Sequence, residues 1–119
     1  MALAACATPP AYDLDGTRWQ LEAMDGVTNP PASQLTFTDN EISGSGICNV
    51  YDGDYRLIGD RLVVTNIVKS PYFCGALIDG KDTRFFEALQ SNPTLSIQDD
   101  QLTLASPSGP TLVFRAFQP

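Results

Sequence analysis

The stretch SGSGICNVYDGDY, Ser43 to Tyr55, decides how the rest of the chain is read. It places three glycines, a cysteine, an asparagine and two tyrosines within thirteen positions. A phosphate-binding loop needs Lys-Ser or Lys-Thr after its last glycine, whereas Ile47 and Cys48 follow Gly46. A dinucleotide fingerprint opens a helix, whereas strand-like residues follow here. Gly44 and Gly46 therefore read as a bulge or a close backbone approach, and Asp52-Gly53 as a tight turn or bulge. Cys48 as a nucleophile needs a histidine to activate it, and the chain contains none. Asn49, Asp52 and Asp54 offer oxygen ligands, but their spacing lacks the 12-residue calcium loop with its bidentate glutamate. No catalytic residue, metal ligand or cofactor is assigned.

Outward from this stretch, strand signals dominate. TRWQLEAM (17–24) alternates with Trp19, Leu21 and Ala23 on one face, and QLTFTD (34–39) with Leu35 and Phe37 on one face. GVTNPPAS (26–33) reads as a loop, because Asn-Pro-Pro cannot join a ladder. Asp39-Asn40 and Gly59-Asp60 mark turns, and Leu62, Val64 and Asn66 are expected to share a face. Three more alternating segments hold Leu95/Ile97, Leu102/Leu104 and Leu112/Phe114. One helix is predicted at about 82–91. Asp82 is its N-cap, Phe85, Ala88 and Leu89 form its apolar stripe, and Asn92-Pro93 stops it. The fold class is α+β, mainly antiparallel β. About eight short strands form a strongly curled sheet or partial barrel, and the helix covers its dry face.

Composition bounds the function. At 119 residues the chain is one domain. No apolar run approaches the ~18 residues of a membrane helix. Fourteen Asp and Glu oppose seven Lys and Arg, for a net charge of −7, so nucleic acid is not an expected partner. The absence of histidine removes Ser-His-Asp triads, Cys-His dyads and His-based zinc sites. Leu3-Ala4-Ala5-Cys6 has the form of a lipobox, in which the cysteine takes lipid, and residues 1–11 read as its remnant and a tether. Residues 12–117 are the folded domain. With Cys6 lipidated, Cys48 and Cys74 remain to pair in an oxidising compartment. The alternative is two free thiols in a cytosolic chain.

LDGTRWQLEAMDG, QLTFTDNEISGSGICNVYDGDYRLIGDRL, FFEALQ and LSIQDDQLTLASPSGPTLVFR together resemble the META domain of HslJ-like bacterial lipoproteins, from about Leu14 to Arg115. The most specific part is Cys48-Asn49-x-Tyr51-x-Gly53-x-Tyr55, supported by Gly16-Thr17-x-Trp19. The chain departs from the pattern at Ile47, where glycine is usual, and at Ser70-Pro71-Tyr72-Phe73 before Cys74. The resemblance implies a small antiparallel α+β domain, a Cys48–Cys74 disulfide and a tether to a bacterial envelope membrane through Cys6. It implies no active site, because no catalytic activity is established for the family, whose members are linked to heat shock, antibiotic tolerance and virulence.

The expected function is therefore that of a non-enzymatic, monomeric, lipid-anchored envelope protein that binds or supports an envelope protein or ligand. The outer membrane's periplasmic face is the expected location. Two alternatives stand beside it. One is an acidic inhibitor of a secreted cationic hydrolase such as lysozyme or a protease, which predicts a rigid, protruding loop near Pro71-Tyr72-Phe73. The other is a carrier of an apolar ligand, which predicts an open cavity between sheet and helix.

Overall fold

The computed structural model describes residues 12–25, 27–28, 33–107 and 109–117. The tether with Cys6 lies outside the described residues. The strands are β1 (Thr17–Met24), β2 (Val27–Thr28), β3 (Gln34–Thr38), β4 (Glu41–Ser45), β5 (Val50–Ile58) and β6 (Arg61–Lys69), followed by α1 (Ala76–Leu89), then β7 (Thr94–Gln98), β8 (Gln101–Ala105) and β9 (Thr111–Ala116). Each of the longer strands pairs antiparallel with its sequence neighbour. β1 pairs with both β3 and β9, so eight strands close into a barrel, and β2 adds a two-residue flap to the end of β1. Closure removes the free edges that an eight-strand sheet would otherwise expose.

Alternation in the sequence becomes inside and outside. Leu35, Phe37, Ile42, Leu62, Leu102, Leu104, Leu112 and Phe114 are all fully buried within the barrel. Their sequence neighbours on each strand face outward or lie half-exposed. The turns use residues that tolerate a left-handed backbone: Asp39, Asn92 and Asp99 have φ of 54°, 56° and 58°. Asp52-Gly53 does not turn the chain. β5 runs straight through it, and the ladder to β6 shifts register there: Asn66 and Ile67 together stand opposite Gly53, so the bulge lies in β6 and not at Asp52-Gly53. Within this bulge Asn66 takes φ 56° and is exposed, which removes it from the face of Leu62 and Val64.

The weak point of the ring is the β6–β7 seam. Its ladder holds one residue pair, Arg61 with Thr94, extended by Leu62 N–H to Pro93 O and Leu95 N–H to Asp60 O. α1 makes the connection between these two strands. It buries Phe85, Phe86, Ala88 and Leu89. The Phe85 ring lies 5.9 Å from Tyr51 on β5 and 6.4 Å from Phe114 on β9, so the helix ties distant strands to one aromatic centre. The helix begins six residues before the predicted start, directly after Gly75 at φ 98°. Gly80 lies on an exposed part of the helix with open space around it. Asp82 is therefore not a cap but a mid-helix residue that is 3% exposed.

Candidate functional site

Burial of Asp82 explains the glycine-rich stretch. One carboxylate oxygen accepts the backbone N–H of Cys48 at 2.9 Å and that of Asn49 at 3.4 Å. The other accepts the Asn49 side-chain amide at 2.9 Å. The Asn49 carbonyl oxygen in turn accepts the Ser70 hydroxyl at 2.9 Å and the backbone N–H of Tyr72 at 2.7 Å. Asn49 is thus a bridge between the β4–β5 loop, the helix and the segment that leaves β6. Gly46 is required for the approach: a Cβ there would stand 2.6 Å from the Asp82 carboxylate and 3.1 Å from the Phe86 ring. Gly44 has a second reason to be glycine. At φ 151° a Cβ would meet the Gln34 carbonyl oxygen at 2.1 Å.

Cys48 and Cys74 are joined by a disulfide that closes 26 residues of chain. The Cys74 N–H donates to Asp79 at 2.9 Å. Between these clamps, Tyr72 and Phe73 project into solvent, 64% and 79% exposed. Val50, Val68 and Leu77 are also exposed large apolar residues. Val68 stands opposite Asp52 and Val50 bonds Ser70 in the same ladder, so these side chains adjoin the projecting loop. The backbone that carries Tyr72 and Phe73 is thus held by the disulfide, by the Asn49 side chain and by Asp79. The sulfurs and the Asp79 carboxylate lie within 4.8 Å of one another, but both sulfurs are used in the bond to each other.

The other signature residues are architectural. Tyr51 is buried, donates its hydroxyl to Gln34 O at 3.0 Å and meets Phe86 edge-on at 5.3 Å. Burial pushes its phenol well above the ordinary range. Gly53 keeps the bulge closed, since a Cβ would come within 3.0 Å of Thr65 O. Gly16 turns at φ 81°. The Thr17 hydroxyl donates to Leu14 O at 2.6 Å and accepts the Trp19 indole N–H at 2.9 Å, which orients the buried indole. Asp52 and Asp54 are exposed, and Asp54 accepts the Asn66 amide at 2.8 Å, so they do not join Asn49 in an oxygen cluster.

Tyr55 belongs to the other end of the barrel. It packs edge-on against Phe37 at 4.8 Å and lines a cleft of about 460 Å³ with Tyr12, Asp13, Asp15, Asp39 and Arg56. Partial burial raises its pKa, and Asp15, Asp13 and Asp39 add to the effect. The structure thus splits the signature: Cys48, Asn49, Tyr51 and Cys74 gather at one end, Tyr55 with Gly16 and Thr17 toward the other. Sequence reasoning missed Asp82 as the partner of Asn49. The signal was present, because Asp82 falls at i−3 and i−4 from Phe85 and Phe86, a carboxylate on the apolar stripe.

A family model of the META domain matches residues 12–118. Among solved structures, the chain is similar to a protein from Burkholderia xenovorans determined by NMR, at 21% identity over 100% of both chains with a TM-score of 0.73. A second NMR structure shares 27% identity over 86% of this chain and 90% of the other, with a TM-score of 0.71. A DUF4847-family protein from Bacteroides vulgatus, known from its crystal structure, shares 15% identity over 86% and 93% of the two chains with a TM-score of 0.65. No curated protein matches the chain.

Proposed function

Because the chain belongs to the META domain family, we propose that it acts as a binding module of the bacterial cell envelope, held to a membrane through Cys6 and working without catalysis. The observation that carries this reading is the Cys48–Cys74 disulfide. Disulfides persist in oxidising compartments such as the periplasm, which supports the envelope location. The same bond fixes the exposed Tyr72–Phe73 loop, and a preordered apolar loop lowers the entropy cost of association. The groups that look most like chemistry, Asn49 and Asp82, are occupied by hydrogen bonds to backbone and to each other. They hold structure and do not face a substrate.

The experiment is expression of the full-length precursor in a Gram-negative host with a fatty-acid analogue. Label is expected on the wild type and lost in Cys6→Ser, with Cys48 and Cys74 oxidised by mass analysis of the envelope fraction. Unlabelled protein with two free thiols would sink the reading. A second reading, an acidic inhibitor of a secreted cationic hydrolase, is favoured by the projecting loop itself, and titration of lysozyme activity with the purified domain tests it. Among the described residues the apolar-carrier reading gains no support: Phe85 of the helix and Phe114 of β9 are wholly buried, with their rings 6.4 Å apart.

A further inference from the structure

Both cysteines of the staple are anchored by groups other than their sulfurs. The Cys48 N–H donates to Asp82 at 2.9 Å, and the Cys74 N–H donates to Asp79 at 2.9 Å. The two carboxylates stand three residues apart on α1, so one side of the helix holds both backbones. The Asn49 side chain adds a bond to the Tyr72 N–H. None of these bonds uses the link between the sulfurs. Breaking that link therefore keeps the two Cα atoms near their separation of 6.0 Å and leaves two thiols side by side.

The surroundings of those thiols form a ligand set. The two sulfurs and a carboxylate oxygen of Asp79 lie within 4.8 Å of one another. Zinc holds sulfur and oxygen ligands at about 2.0–2.3 Å, so donors placed tetrahedrally around it stand roughly 3.5–3.8 Å apart. Rotation about the Cα–Cβ bonds opens the sulfurs to that spacing without moving the backbone. One Asp79 oxygen accepts the Cys74 N–H, and the other has no hydrogen bond among the described residues. Cys74 is exposed while Cys48 and Asp79 are half-buried, so water reaches the site and completes four ligands. Two thiolates and a carboxylate suit a borderline-soft ion such as zinc, whereas calcium and magnesium take oxygen ligands alone. Three anionic ligands around a divalent ion leave one negative charge, which the N-terminus of α1 favours.

We infer that Cys48, Cys74 and Asp79 form a redox-gated zinc-type site: oxidised, the sulfurs staple the fold, and reduced, they join Asp79 in binding one divalent ion. The reductant is a dithiol. It attacks the exposed Cys74 sulfur and releases Cys48, then its second thiol displaces Cys74. The dithiol ends as a disulfide, and its two protons end on Cys48 and Cys74. The ion displaces both protons as it forms two metal–sulfur bonds. The inference goes beyond the binding-module reading and does not depend on it.

The test reduces the full-length protein with a phosphine, removes the reductant under argon and titrates Co2+ as a spectroscopic probe, with Zn2+ as competitor. The expected result is a thiolate-to-cobalt charge-transfer band that saturates at one ion per chain. Equimolar Zn2+ bleaches it, and the oxidised protein does not show it. Before metal is added, the reduced chain should keep the far-ultraviolet circular dichroism of the oxidised one. Cys48→Ser or Cys74→Ser should remove the band, and Cys6→Ser should leave it unchanged. Asp79→Asn keeps a carbonyl for the Cys74 N–H but loses the anionic ligand. Outer-shell changes alone weaken metal sites roughly 10–100-fold, so its Kd for Co2+ should rise about tenfold or more. No band, saturation at one ion per two chains, a band that needs Cys6, equal affinity in Asp79→Asn, or a reduced chain that unfolds without metal overturns the inference.

Discussion

The two ends of the barrel carry similar side chains in opposite circumstances. At the stapled end, Asp82 is 3% exposed and Asn49 is 8% exposed, and their hydrogen bonds are all internal. At the turn end, Arg115 holds Glu22 at 2.7 Å and Asp100 at 2.9 Å with all three side chains in water. The hydrogen bond from Arg115 keeps Glu22 below the usual carboxylate range, yet solvent competes for every one of these contacts. Depth decides what a polar group is worth. A buried group that loses its partner has no water to replace it, whereas an exposed pair dissolves into solvent at little cost.

Substitutions at four places put that contrast to use, in falling order of effect: the disulfide, Asp82, Tyr51 and Arg115. Replacing Cys48 and Cys74 by serine releases a loop of 26 residues and should lower stability by ~3–4 kcal/mol, read from urea midpoints against the oxidised protein. An equal midpoint would show that the network around Asn49 holds the end alone. Asp82→Ala leaves the Cys48 N–H and the Asn49 amide without an acceptor and should cost about 3 kcal/mol. Asp82→Asn should recover only part of this, because its own amide would face the amide of Asn49.

Third comes Tyr51. Its folded-state pKa is raised by burial, so the stabilisation tied to the neutral phenol is complete below the ordinary value of 10.0 and is lost as pH rises beyond it. The wild-type melting temperature should therefore fall steeply above pH 10, whereas Tyr51→Phe should show a flatter alkaline limb. At neutral pH that variant loses about 1 kcal/mol with the bond to Gln34. Identical alkaline limbs would assign the decline to other groups. Last, Arg115→Ala at the turn end should shift the melting temperature by about 2 °C or less, and added salt should erase even that. A loss as large as that of Asp82→Ala would refute the depth argument.

Much of the fold was legible because a half-buried strand writes itself as alternation. Leu35/Phe37, Leu102/Leu104 and Leu112/Phe114 all point inward as their spacing requires. The helix was legible in its second half, where Phe85, Phe86 and Leu89 repeat, and illegible in its first, where Gly80 and a surface-facing Leu77 carry no stripe. Asp82 shows the limit most clearly. By residue type it reads as a cap, and only the approach of Cys48 and Asn49, 34 and 33 residues earlier, gives it another role.

By itself the sequence determined most of the strand faces, the turns at Asp39-Asn40, Gly59-Asp60 and Asp99-Asp100, the acidic charge and the family signature. Each of these is set by neighbouring residues or by composition, and neither needs a fold to be read. Tertiary structure decided that β1 closes onto β9, that β5 runs straight through Asp52-Gly53 while β6 bulges opposite it, and that Asn49 meets Asp82. It also decided that Tyr72 and Phe73 stand out in solvent while Tyr51 is buried. These outcomes depend on which distant segments approach, and the same short motif is compatible with several of them until the core packs.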